Sequence, residues 1–278
     1  MQNAGFSALR LDWRYLAFEV RPNDLRAAID GAKAMGFVGL NLTVPHKLLA
    51  MEMVNVAEDA ARTWGAVNTV LFEGRDEQGI WRPVTEFAQT PTEIRSHGFN
   101  TDADALTRSL REDLGVEVSG ARVMLLGAGG AGRTAALKMA SDGVKDLYLV
   151  NRTAAKAEQL RIEIQERYPK VTVQAEYPDE PVDLAINATS LGLGVGDPLP
   201  FNAKCFSLQK AAAVYDMIYR PAETPFLNLA KRAGCRTANG LGMLLYQGAR
   251  ALEIWTSRTA PIQAMREALH QWTLKPSP

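Results

Sequence analysis

The sequence predicts an α/β protein with an N-terminal α/β domain followed by a doubly wound Rossmann-type domain, and three observations carry that reading. Short apolar segments alternate with helical patterns along most of the chain. A glycine-rich turn, Gly127-Ala128-Gly129-Gly130-Ala131-Gly132, stands between an apolar strand and a helix. The 278 residues, 47% hydrophobic and 22% charged, are enough for two cores of ordinary size.

Taken in order, Met1 to Phe6 carries no basic and apolar leader and no strand ahead of its first helical pattern. Leu25, Ala28, Ile29, Ala32 and Met35 recur at helical spacing after Pro22-Asn23-Asp24, a start signal. Phe37 to Val44 reads as a strand, Asp59 to Thr63 as helix and Ala66 to Phe72 as strand, an alternation that predicts a parallel sheet in the first hundred residues. From Glu73 to Gly98 the pattern lapses into a polar stretch, long for a connection. A second alternation begins with strand Val123 to Leu126 and helix Ala131 to Ala140. It continues with strand Asp146 to Val150, helix Ala154 to Tyr168, and strands over Val171 to Ala175, Val182 to Asn187 and Ala213 to Ile218, ending in a helix over Met243 to Thr256.

Composition narrows the function classes. Thirty-one basic side chains balance 31 acidic ones, so no overall field recruits nucleic acid or an anionic membrane. No apolar run approaches the roughly 18 to 20 residues of a membrane helix. Cys205 and Cys235 make no disulfide framework, which points to a reducing, cytoplasmic setting, and the scattered His46, His97 and His270 offer no metal-ligand spacing. The expected partners are small molecules, the expected assembly a monomer or homodimer.

The glycine-rich turn is a GxGxxG fingerprint in the context it needs. Gly127 permits the tight turn, Gly129 lets backbone approach a pyrophosphate, and Gly132 lets helix and strand pack closely, while Ala128, Gly130 and Ala131 keep the helix N-terminus unobstructed. After the next strand an NAD enzyme places an acid against the ribose 2′-hydroxyl; here Asn151-Arg152-Thr153 stands instead. A guanidinium can pair with a 2′-phosphate as a fork, and Thr153 and Lys156 add a donor and a charge, so NADP is expected over NAD. In Asn41-Leu42-Thr43-Val44-Pro45-His46-Lys47 a strand delivers a hydroxyl, a proline turn and a lysine to one place. Alone, Lys47 reads as a solvated lysine, and Asn68 and Asp102 as turn or capping residues.

Together these segments carry a resemblance. Asn-Leu-Thr-Val-Pro-His-Lys, Gly-Ala-Val-Asn-Thr, Gly-Phe-Asn-Thr-Asp, the glycine turn, Asn-Arg-Thr and Asn239-Gly240-Leu241-Gly242-Met243-Leu244 occur in the order found in shikimate dehydrogenases. The resemblance spans nearly the whole chain. It implies a substrate-binding catalytic domain over 1–103 plus 240–278, a Rossmann NADP-binding domain over 104–239, last helices returning to the first domain, and an active site in the cleft between them. It implies Lys47 and Asp102 as the catalytic pair and substrate contacts at Thr43, Asn68, Tyr215 and Gln247. Gly240 and Met243 resemble positions lining the nicotinamide, and Asn187-Ala188-Thr189-Ser190 a loop near the cofactor. The implied chemistry is coherent: oxidising a secondary alcohol removes a hydroxyl proton as hydride leaves the same carbon, and a lysine coupled to an aspartate can take or return that proton as one titrating unit.

Two departures stand out. Shikimate dehydrogenases begin with a strand and a loop carrying a Ser-x-Ser pair that holds the substrate carboxylate, whereas Met1 to Phe6 resembles the start of the helix that follows. Either the chain begins inside a longer natural protein, or this member has lost substrate binding and folds around the gap; a sheet lacking that strand should expose unpaired backbone and an apolar trough. The second departure is the extended 73–98 stretch, which leaves room for an altered pocket. The expected function is an NADP-dependent shikimate dehydrogenase. The alternatives are a quinate or aminoshikimate dehydrogenase, or a non-catalytic relative that binds NADP or a shikimate-like acid.

Overall fold

The computed structural model describes residues 1–194 and 196–273. In chain order the elements are α1 (Gln2–Ala8), α2 (Leu25–Ala34), β1 (Gly39–Asn41), α3 (His46–Leu49), β2 (Val56–Ala57), α4 (Asp59–Trp64), β3 (Thr69–Arg75), β4 (Trp81–Pro83) and β5 (Ile94–Phe99). There follow α5 (Asp102–Leu114), β6 (Arg122–Leu126), α6 (Gly130–Ser141), β7 (Asp146–Val150), α7 (Ala154–Arg167), β8 (Thr172–Gln174) and β9 (Val182–Asn187). The last are β10 (Ala211–Asp216), α8 (Pro225–Arg232), β11 (Arg236–Asn239), α9 (Leu241–Thr256) and α10 (Ile262–Thr273). They divide into two compact units, one of Met1–Asp102 with Gln247–Ala268, the other of Ala103–Tyr246 with Leu269–Pro278.

In the first unit the helical spacing of α2 buries Leu25, Ile29 and Ala32 against Val67, Val70 and Phe72, and each of the larger side chains contributes about 1.5–3 kcal/mol. The sheet runs β1-β3-β5-β2 with β4 on β3. Here the expectation of a parallel sheet is corrected. Only β2 and β5 pair in parallel, whereas β3 is antiparallel to β1, β4 and β5. For the β3–β4 pair the cause lies in the stretch that reads as an irregular polar loop. Residues 76–80 form a tight turn in which Asp76 Oδ1 accepts the N–H groups of Gln78 and Ile80, and that turn folds β4 back on β3 as a hairpin, which only an antiparallel pair permits.

Glu73 explains why this arm looks polar. It is 9% exposed on β3, with Arg95 Nε 2.7 Å and His97 Nδ1 3.3 Å from its carboxylate, while the Arg95 guanidinium covers the Trp81 ring at 4.5 Å. Burial pushes the Glu73 carboxyl up, but the hydrogen bonds and charges of His97 and Arg95 outweigh it and hold the group below the usual carboxylate range. A depressed carboxylate stabilises the fold above its unfolded pKa and loses that contribution as pH falls through the folded one. Acid unfolding followed by circular dichroism is therefore expected to show wild-type stability falling more steeply than that of Glu73→Gln below about pH 4.

The strand expected over Phe37 to Val44 contracts to the three residues of β1. β1 pairs only with β3, so its other edge is open among the described residues, and residues 11–20 run alongside without strand pairing. Leu16 and Phe18 on that segment are 65% and 64% exposed, and the Phe18 ring lies 6.1 Å from that of Phe37. Two hydrogen bonds bring α9 onto this unit: Trp255 Nε1 donates to the Val70 carbonyl at 2.9 Å and Gln2 Nε2 to the Gly248 carbonyl at 2.9 Å.

The second unit is wholly parallel, in the order β11-β10-β9-β6-β7-β8. Numbered within the unit and read from the β8 edge this is 3-2-1-4-5-6, the doubly wound arrangement whose reversal of strand order at β6 and β9 opens a binding crevice at the strands' carboxyl ends. Val123, Met124, Leu125 and Leu126 of β6 are all fully buried, as a strand covered by helices on both faces must be. Among the described residues no helix is long and apolar enough to cross a membrane.

Candidate functional site

In the first unit, Lys47 sits in α3, whose first N–H, at His46, bonds the Thr43 carbonyl at 2.8 Å. Its own carbonyl accepts the Val67 N–H at 2.9 Å, which ties the lysine to the residue before Asn68. Its Nζ lies 2.7 Å from Asp102 Oδ2, across 55 residues of sequence, with the two side chains 28% and 14% exposed. Asp102 opens α5 and is held there by its N–H on Asn100 Oδ1, whose Nδ2 reaches the Ala66 carbonyl at 2.9 Å.

Asn68 is 2% exposed, donating through Nδ2 to Thr101 Oγ1 at 2.9 Å and accepting the Thr101 N–H through Oδ1 at 2.9 Å. It therefore braces the strand end that presents Asp102, and among the described residues its Nδ2 makes that one donation. Thr43 is exposed and Gln247, on α9, is half-buried in the same unit. Sequence reading missed Asn100 and Thr101, although three consecutive polar residues at a strand end, Asn100-Thr101-Asp102, carry the signal of a side-chain network.

Tyr215 lies on β10, in the second unit. Its side chain is completely buried, its hydroxyl lies 2.9 Å from Ser109 Oγ, and Ser109 in turn donates to Asp113 Oδ2 at 2.7 Å. Burial pushes its phenol well above the usual tyrosine range. Strand alternation turned this ring into the core, and the exposed phenol of the same segment is Tyr219, 37% exposed, its ring tilted by 48° against that of Trp272 with centroids 6.3 Å apart. Tyr215→Phe is expected to cost about 1 kcal/mol of stability by chemical denaturation.

In the second unit the fingerprint turn joins β6 to α6. The N-cap Gly129 supplies no side-chain cap, and a Cβ placed at Gly129 or Gly130 would meet nothing within 4 Å, so no neighbouring group crowds that side of the turn. At Gly132 a Cβ would collide with the Gly127 carbonyl, the close approach that the third glycine serves. Asn151 closes the turn from β7, its Oδ1 accepting the Ala128 N–H at 3.0 Å and its Nδ2 donating to the Thr153 carbonyl at 2.9 Å. Arg152, Thr153 and Lys156 are exposed, and among the described residues Arg152 has no acidic partner, leaving its guanidinium available. Ala131 lies in the first turn of α6, Met243 is half-buried in α9, and Gly240 is buried at the end of β11. An uncapped helix N-terminus beside an unpaired guanidinium fits a dinucleotide that carries a 2′-phosphate.

Comparisons with known proteins agree with this anatomy. Residues 1–70 match the model of the shikimate dehydrogenase substrate binding domain, 109–191 that of shikimate/quinate 5-dehydrogenase, and 240–270 that of the shikimate 5′-dehydrogenase C-terminal domain. Shikimate dehydrogenase (NADP(+)) of Geobacter metallireducens is 39% identical over 275 residues, covering 96% of this chain and 88% of that one. A crystal structure of shikimate dehydrogenase in complex with NADP+ superposes with a TM-score of 0.82 at 34% identity, covering 99% of this chain and 90% of that one. The ligand-free 5-ketofructose reductase of Gluconobacter sp. strain CHM43 superposes with a TM-score of 0.78 at 33% identity, covering 97% and 91%.

Proposed function

The chain belongs to the shikimate dehydrogenase family, and on that premise we propose that it interconverts shikimate and 3-dehydroshikimate with NADP as cofactor, Lys47 and Asp102 forming the proton-transferring pair. The observation that carries this reading is the 2.7 Å contact between an amine and a carboxylate that are both partly open to solvent.

When bound, the cofactor supplies the nicotinamide that accepts or returns hydride. Everything else falls to the chain. Lys47 and Asp102 take the hydroxyl proton during oxidation and return it during reduction, the hydrogen bond between amine and carboxylate orienting the pair. Thr43 and the Gln247 and Asn68 amides are groups suited to a polyhydroxylated ring, where each unmatched polar group would cost discrimination. Gly127, Gly129 and the α6 N-terminus hold the pyrophosphate, Arg152 with Thr153 and Lys156 the 2′-phosphate, and Gly240 and Met243 the nicotinamide end. The setting is cytoplasmic and the assembly a monomer or homodimer, with no nucleic acid or membrane partner; the two free cysteines support the reducing setting.

The test is initial-rate NADPH formation with shikimate, quinate and fructose in parallel. A kcat/KM for shikimate at least about tenfold above the other two is expected; turnover of fructose alone would replace the substrate assignment.

A further inference from the structure

We propose that Asp216 is a positioning residue for the nicotinamide end of the cofactor, a buried carboxyl that fastens together the loops following β9 and β10. The inference rests on the NADP reading above and deepens it.

Asp216 ends β10 and is completely buried. Among the described residues it has no cationic partner. Instead three donors from three segments converge on it: Asn187 Nδ2 at 3.0 Å and the Ile218 N–H at 3.1 Å on Oδ1, and Thr224 Oγ1 at 2.6 Å on Oδ2. Burying a carboxyl without a counter-charge is expensive, and burial raises its proton affinity while the three hydrogen bonds pull the other way. An apolar side chain would fill a plain core position at lower cost, so the group needs a task.

Its partners indicate the task. Asn187 ends β9, and its Oδ1 accepts both the N–H and the hydroxyl of Thr189, while its Nδ2 also reaches the Leu191 carbonyl at 3.1 Å. That amide sets the course of the loop after β9, and the same loop lies close against the fingerprint turn: a Cβ at Gly127 would touch Thr189 and the Ala188 carbonyl. Thr224 caps α8 by accepting the Leu227 N–H at 3.2 Å. Ile218, whose N–H bonds Asp216, accepts the Gly240 N–H at 3.1 Å, and a Cβ at Gly240 would collide with the Met217 carbonyl. One carboxyl thus links the carboxyl-end loops of β9 and β10 and, through Ile218, the β11–α9 turn.

These loops belong to one half of the crevice. Arg152 follows β7 on the opposite side of the switch point, which assigns the adenosine end to the β6–β8 half and leaves β9, β10 and β11 to the nicotinamide. Loss of the clamp should therefore disturb one end of the dinucleotide and spare the other.

The experiment compares wild type, Asp216→Ala and Asp216→Asn by calorimetric binding of NADP+ and of 2′,5′-ADP, which carries only the adenosine end, together with kinetics and thermal unfolding. Asp216→Ala should weaken NADP+ roughly tenfold, keep 2′,5′-ADP within about twofold, and lower kcat by about 10²-fold with little change in the shikimate KM. Asp216→Asn keeps one acceptor oxygen but sets an amide N–H₂ against a donor, and should leave NADP+ about threefold weaker than wild type, a smaller loss than the alanine variant. Equal weakening of both ligands, or no change in either, overturns the clamp. Should the alanine variant fail to fold, the asparagine variant decides: a loss confined to NADP+ and kcat supports the proposal, and wild-type values throughout overturn it. A wild-type protein that binds neither ligand would instead overturn the NADP reading, and the clamp with it.

Discussion

Replacing Lys47 with methionine is expected to lower kcat for shikimate oxidation by about 10³-fold, within the range that a positioned proton-transfer group supplies, while NADP+ binding measured by calorimetry stays within about twofold. Methionine keeps most of the length of the side chain and removes the amine that lies 2.7 Å from Asp102. Asp102→Asn should also lose much of the rate, because the carboxamide keeps its place at the start of α5 but no longer balances the ammonium. Residues that act as a unit are strongly non-additive, so the double variant should fall little below Lys47→Met alone. Losses that multiply would show that the two side chains serve separate steps.

The second large effect concerns the cofactor. Arg152→Ala should raise the Kd for NADP+ by about 10 to 100-fold, the scale of one lost charge-assisted fork at about 1.5–3 kcal/mol, and change NAD+ much less. Arg152 is exposed and has no acidic partner among the described residues, so its removal leaves the fold intact. Equal loss for the two cofactors would count against a 2′-phosphate role and assign the guanidinium to adenine stacking or to the surface.

The two units differ in how far they could be read from sequence, and the reason is burial. Strands of the second unit lie between helices on both faces, so Val123 to Leu126 stands out as an apolar run, and the glycine turn beside it has a shape that only one arrangement uses. In the first unit a charged cluster, Glu73 with Arg95 and His97, occupies one face of a β-arm, and its alternation of charge and apolar residues resembles an irregular loop. β4 is three residues long, too short to register as a period. Strand direction was equally hidden, since the turn at 76–80 makes the pair antiparallel.

Within the site, Lys47 and Asp102 were legible only through an ordered set of motifs, because 55 residues separate them and no local pattern marks either. In Tyr215-Asp216-Met217-Ile218-Tyr219 no local pattern says which tyrosine is buried: the first still belongs to the strand and is completely buried, while the second lies beyond its end and is exposed. Asp216 itself left a usable signal, an acid closing the otherwise apolar strand Ala211–Asp216, where a buried charge demands partners.

The central claim, that the Lys47–Asp102 pair handles the proton while hydride leaves the same substrate carbon for NADP, is tested most directly with shikimate deuterated at the carbon bearing the oxidised hydroxyl. The account predicts that wild-type protein transfers the deuterium to the nicotinamide, detected by mass spectrometry of the reduced cofactor, and that Lys47→Met forms the same labelled product about 10³-fold more slowly. Absence of label in the cofactor, or transfer by Lys47→Met at the wild-type rate, would contradict it.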